Sequence, residues 1–200
     1  MSQSILDMLS GQLGGQALEM IGSQLGADRS QVESAVPAAL GSLMTGLARN
    51  TRSSDGADAL AAALSKDHDG SILDNLSSVL SGQEPSSGAG ILGHVFGAKQ
   101  GAVQAALGQS TGLEAGSVAK LLAMLAPLVM GALGMKQCQG GLDPSDLGGL
   151  LRQEQRSAAR KTPDLGMLAD LLDTDGDGDI KDDVARIGGS LLKSFFGRRR

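Results

Sequence analysis

Two hundred residues allow one or two domains with a sizeable core. The material for that core is unusual, with no Trp, no Tyr, three Phe (Phe96, Phe195, Phe196) and 30 Gly. The formal net charge of −5 argues against nucleic acid as the main partner, because that binding rests on phosphate neutralisation by Lys and Arg, and the single cysteine, Cys138, excludes an intramolecular disulfide or a multi-thiolate metal site.

The chain opens on MSQSILDMLSG, which lacks the cationic start and continuous apolar stretch of a signal peptide, so a cytoplasmic protein is expected. Ile5, Leu6, Leu9 and Leu13 recur with helical spacing, as do Ala17, Met20, Ile21 and Leu25. Asp28 or Ser30 can cap a helix striped by Val32, Ala35, Val36, Ala39, Leu40, Leu43 and Leu47. No run of β-branched and aromatic residues is bounded by turn signals, so the class is all-α. Such a core must rely on Leu and Met packing and on close approach of small-sided helices. The most apolar run, Leu121–Met135, contains Pro127 and is shorter than the roughly 20 residues that span a bilayer. It reads as a buried helix.

An internal repeat is visible. Setting Ile5-Leu6 over Ile91-Leu92 brings Gly11, Gly15, Gly22 and Gly26 onto Gly97, Gly101, Gly108 and Gly112, and Asp28 onto Glu114. Further on, Pro37 through Leu43 lies over Pro127 through Leu133 in a register about one helical turn longer. Each proline is expected to kink or break its helix. The stretch Asp67–Leu76 resembles Asp175–Val184. The expected organisation is two similar helical repeats, 1–82 and 88–151, each holding helix pairs with one proline-kinked member. Ser81–Gly90 links them. A polar linker follows at 152–163, then a helix–acidic loop–helix at 164–197 and a basic tail at 198–200.

The acidic run carries the most specific chemistry. A calcium loop supplies oxygens from its first, third, fifth, seventh, ninth and twelfth residues, with Gly at the sixth. Counted from Asp173, the ligands Asp173, Asp175 and Asp177 fall on the first three of these, Gly178 on the turn, Asp179 on the carbonyl position and Ile180 on the apolar one. The ninth residue is Lys181 and the twelfth Val184, so closure is left to Asp182 or Asp183. The plainer reading is a solvated acidic turn that caps the next helix, although so many adjacent carboxylates repel one another without a cation. The earlier loop keeps only Asp67, Asp69 and Asp74, with Ser65 in place of the first Asp, and reads as a structural turn opening a helix Ile72–Leu80.

Other motifs are bland. His68 and His94 have no Cys or HxxxH partner, no phosphate loop occurs, and Cys138 reads as a passive thiol. Basic residues at Arg152–Lys161 and Arg198–Arg200 read as solvated. The alternative is attraction to anionic lipid, helped by Leu191, Leu192, Phe195 and Phe196. Gly93, Gly97 and Gly101, with Gly11 and Gly15, read as a small-residue helix face for internal packing or, alternatively, self-association.

Together, ILDMLSGQLGG, SKDHDGSILDNLSSVL, GILGHVFGAKQGAV, LAPLVMGALG and LLDTDGDGDIKDDV resemble the bacterial domain-of-unknown-function family 937, related to the YidB-like proteins. The resemblance covers residues 3–151, with the acidic loop as an appendage. It implies a bacterial, largely helical protein and brings no activity, substrate or catalytic residue. The functional expectation is a non-enzymatic interaction or scaffold protein, bound to a protein partner or to itself, with calcium as its cofactor and no small-molecule substrate identified. A peripheral membrane-surface protein using the basic C-terminal helix is the alternative.

Overall fold

The computed structural model describes residues 4–81 and 87–161. The first apolar stripe becomes α1 (Ile5–Gln12) and α2 (Gln16–Leu25), which bury Ile5, Leu6, Leu9, Ala17, Ile21 and Leu25. Gly15 separates them with φ 56°, a conformation that favours glycine, and Gly26 ends α2 at φ 63°. Asp28 begins α3 (Arg29–Asn50), its N–H donating to Gln31 Oε1 at 3.1 Å as in one arm of a capping box. Ser53 caps α4 (Ser54–Asp67) by accepting from the Gly56 N–H at 3.1 Å. A 3₁₀ turn, Ser71–Asn75, leads into α5 (Leu76–Leu80). After it come α6 (Gly88–Phe96), a 3₁₀ turn at Gly97–Lys99, α7 (Gln100–Thr111), α8 (Ala115–Gly140) and α9 (Pro144–Lys161). No strand occurs among the described residues, and the all-α class holds.

The long helices α3 and α8 pack on each other at the centre, and every other helix touches at least one of them. Their stripes, Val32–Ala48 and Val118–Gly134, supply much of the buried material. One continuous cluster of buried side chains draws on all nine described helices. Segments 1–82 and 88–151 therefore share a core. Each fully buried leucine contributes about 1.5–3 kcal/mol of transfer free energy, which favours folding even though Phe96 is the only aromatic side chain in the cluster.

Glycines let the helices come close. A Cβ on Gly46 would press on Val95 and Phe96, one on Gly88 would strike the Ala123 carbonyl, and one on Gly134 the carbonyl of His68. The five glycines read from sequence as a packing stripe are different ones. A Cβ on Gly11, Gly15, Gly93, Gly97 or Gly101 meets nothing within 4 Å. Gly15 and Gly97, at φ 56° and φ 52°, stand at helix ends, so neither set forms a continuous helix face. Among the described residues, nothing packs against them. Spacing alone cannot tell a glycine that ends a helix from one that admits a neighbour.

Two further expectations change. Of the kink or break expected at each proline, the break does not occur: α3 runs through exposed Pro37 and α8 through buried Pro127. Buried side chains on both sides of each proline hold the helix across it. The stretch from Arg152, expected as a linker, is helical to Lys161, because Leu147, Leu151, Glu154 and Ala158 share a buried face. Glu154, only 3% exposed, accepts from Ser4 Oγ at 2.6 Å and from the N–H groups of Ile5 at 3.0 Å and Leu6 at 3.3 Å. It thereby satisfies the first amides of α1 from about 150 residues away along the chain. Among the described residues, α8 alone is long and apolar enough to cross a membrane, and 72% of its most apolar window is buried.

Candidate functional site

The residues with the sharpest chemical signature, Asp173, Asp175, Asp177, Asp179, Asp182 and Asp183, lie outside the described residues. So do the helix–loop–helix 164–197 and the basic tail 198–200.

The loop resembling them, at Asp67–Leu76, is described. Ser65 and Asp67 belong to α4, the Ser65 hydroxyl donating to the Ala61 carbonyl at 3.0 Å. Asp69 accepts from the Ser71 N–H at 2.9 Å and so closes the turn into the 3₁₀ segment that contains Asp74. That side-chain and backbone bonding to Ser71 holds the Asp69 carboxyl below its ordinary range. No group of three His, Cys, Asp or Glu side chains among the described residues could hold a metal ion. The turn instead lies on α8, with Ile72 against Gly131 and the His68 carbonyl against Gly134. The helix expected over Ile72–Leu80 appears as a 3₁₀ turn followed by α5.

Beside that turn, α3, α4 and α6 enclose a groove of about 990 Å³. Its floor is formed by buried Leu47, Leu60, Val95 and Met130, with half-buried Ala63 and Ile91 on the walls. Arg49, Asn50, Arg52 and His94 stand at the end where α3 closes and Asp67 and His68 where α4 closes, and Ser87 and Gly90 at the start of α6 also line it. Asn50 sets the first end by donating from Nδ2 to the carbonyls of His94 at 2.9 Å and Val95 at 3.3 Å, which ties the end of α3 to α6. Gly56 is needed at this corner, because a Cβ there would strike the Asn50 carbonyl. Burial pushes the His68 imidazole below its ordinary value, against the opposing pull of Asp67, so it is neutral at neutral pH.

The groove exists because α4 and α6 each pack on α8 with little contact between themselves. Sequence reading missed it, since its lining comes from three separate segments, 47–68, 87–95 and Met130, that each read as ordinary helix. The one available signal was the pair of histidines, which the fold brings to a single groove although His94 stands on α6 and His68 just past the end of α4. Cys138 lies exposed within α8. The lining combines an apolar floor with amide, hydroxyl and guanidinium donors at the rim, a composition suited to holding an amphipathic surface.

A family model described as bacterial protein of unknown function (DUF937) matches residues 7–136. No curated protein and no solved structure matches the chain.

Proposed function

The chain belongs to the DUF937 family of bacterial proteins of unknown function, and from that premise we propose that it is a non-enzymatic interaction protein whose binding face is the α3–α4–α6 groove. The observation that carries this reading is the apolar floor of Leu47, Leu60, Val95 and Met130, open between two helices and rimmed by polar groups. Open grooves of this kind recognise other chains by burying apolar anchors at the centre while the rim sets register. The test is affinity capture and mass spectrometry with the wild type and with Ile91→Glu, whose helicity is checked by circular dichroism. Proteins recovered by the wild type and lost by the variant are expected. An identical set from both would count against the groove.

We propose further that the body is a duplication, α1 to α4 repeated as α6 to α9. The support is reciprocal bonding. Gln31, third residue of α3, donates from Nε2 to the carbonyl of Gly112, which ends α7, at 3.1 Å. Ser117, third residue of α8, donates to the carbonyl of Leu25, at the end of α2, at 3.1 Å. Each half thus closes a helix end of the other, as in an exchange between equal partners. Asp143 repeats the Ser53 cap by accepting from the Asp146 N–H at 2.8 Å. In this alignment Leu64 stands where Glu154 stands in the second half. The α1–α9 joint is fastened by a carboxylate, whereas the α4–α6 joint has none and stays open.

Calcium belongs to the same proposal. Asp173, Asp175 and Asp177 supply carboxylates in calcium-loop spacing, Asp179 a carbonyl, and Asp182 or Asp183 the closing oxygen. The ion would order residues 164–197. Calcium but not magnesium is then expected to raise the melting temperature, and Asp175→Ala with Asp177→Ala to remove the increment. Equal melting curves with and without calcium would retire the ion.

A further inference from the structure

We infer that the segment after α9 docks on α3 at Gly41, with Ile180 of the acidic loop packed there as Ile72 is packed on Gly131 of α8. The inference rests on the duplication reading above and adds a seat for the acidic loop, whether or not that loop holds an ion.

The template is the descent of the first half along α8. Gln137 donates from Nε2 to the carbonyl of Ala61 in α4 at 3.4 Å, the carbonyl of His68 stands against Gly134, and Ile72 stands against Gly131. A Cβ on Gly131 would strike Cγ2 of Ile72, and a β-branched side chain has little freedom to turn aside. In the second half α9 takes the place of α4 and packs on α3. Leu47 and Met44 of α3 then correspond to Gln137 and Gly134, and Leu151 and Ala158 of α9 to Ala61 and His68; all four are buried. The next step on α3 is Gly41, which corresponds to Gly131 and is itself buried.

The residue that meets Gly41 comes from beyond α9, in residues 162–200, which lie outside the described residues. Met44 stands where Gly134 admits the His68 carbonyl, so the chain cannot turn down at that step, and α9 runs on to Lys161. Counting straight on would bring Thr162 to Gly41, in a polar run, Lys161–Asp164, with no Leu, Ile or Val to seat. Ile180 has the surroundings of Ile72. Ile72, Leu76 and Val79 recur as Ile180, Val184 and Ile187, at the same helical spacing and after the same Asp-x-Asp-Gly turn. Residues 162–179 give the chain length to leave α9 and return, at up to about 3.3 Å per residue.

The surface beyond Gly41 suits this route. In the first half α5 follows the turn and packs on α2. Its counterpart, residues 184–188, reaches α7, which has no charged residue and exposes Gly101, Ala102 and Ala105. A neighbour settles there without stranding a buried charge of α7.

The experiment is a pair of double-mutant cycles in the full chain, read as melting temperatures with and without calcium. Gly131→Ala is expected to lower the melting temperature of the wild type and to raise that of Ile72→Ala, where the obstructing methyl is gone and the helix gains from alanine. Gly41→Ala is expected to show the same reversal between the wild type and Ile180→Ala. Reversal at Gly131 with none at Gly41 would overturn the docking and leave the duplication of the described helices intact. Absence of reversal at both would remove the template along with the docking. Reversal at Gly41 without calcium supports the docking even where the ion is retired. If Gly41→Ala fails to fold, hydrogen exchange in Ile180→Asp decides. Quicker exchange over residues 38–45 of α3, with residues 128–135 of α8 unchanged, supports the seat, and wild-type rates over 38–45 overturn it.

Discussion

At the scale of single residues, Glu154 is the most consequential side chain. It is buried, and three donors of α1's first turn converge on its carboxylate. Hydrogen bonds to a charged group contribute about 1.5–3 kcal/mol, and donors left buried without an acceptor cost about as much again. Glu154→Ala is therefore expected to lower unfolding stability by about 3–4 kcal/mol, and Glu154→Gln by about half of that, in urea titrations. Hydrogen exchange should then quicken across residues 4–13. A second residue-scale effect follows from His68. Because burial depresses its folded value, the unfolded chain takes up the proton first as the pH falls. Stability is full above the ordinary histidine value of 6.5 and declines below it, toward the folded value. His68→Gln should flatten that decline. Asp69 acts in a lower window, because its depressed value keeps its contribution until the pH passes below the ordinary carboxylate range. A wild-type curve with no loss between neutrality and that range would contradict the His68 account. Sequence periodicity made the apolar positions legible: Ile5, Leu6, Leu9 and Leu13 are all buried, as their spacing required. Glu154 was not legible. A charged residue on an otherwise sparse apolar stripe of Leu147, Leu151 and Ala158 erases the pattern that would mark its face as buried.

At the scale of elements, the glycines divide into those that admit a neighbour and those that do not. Gly134 of α8 faces the His68 carbonyl, while Gly93 of α6 faces open space. Exchanging Gly for Ala in a helix interior gains about 0.5–1 kcal/mol where nothing is displaced. Gly93→Ala should therefore stabilise by about that amount. Gly134→Ala should destabilise, because backbone rather than a flexible side chain must move, and the 68–72 turn would lift from α8. Thermal melts of the two variants should shift in opposite directions; shifts of the same sign would contradict the packing described here. The first three helices were readable from their stripes, and the start of α3 from Asp28. The contacts between elements were not. Whether a glycine meets solvent or a carbonyl depends on which helix crosses it, and a run such as Arg152–Lys161 shows its three-dimensional role only once α3 supplies the surface it covers.

At the scale of the whole molecule, the family match and the folding unit differ in extent. The match ends at residue 136, yet α9 lies wholly beyond it. Helix α9 packs along α3 and α4, contributes Leu147, Leu151 and Ala158 to the shared core, and fastens α1 through Glu154. Uncovering α3 and α4 together would expose several buried leucines, each worth about 1.5–3 kcal/mol, against a total stability of about 5–15 kcal/mol for an ordinary domain. A chain ended at Gly141 is thus expected to lose its cooperative transition while keeping much of its helicity. It should bind a hydrophobic dye that the full chain does not, the signature of collapsed helices without fixed packing. Other contacts add to this, because α1 and α2 touch α8, and α3 and α4 touch α9. Loss of α9 is therefore felt across the shared core at once. If the shortened chain instead melted in one sharp transition near the full chain's midpoint, α9 would be an accessory. The core would then have to close through α3 and α8 alone.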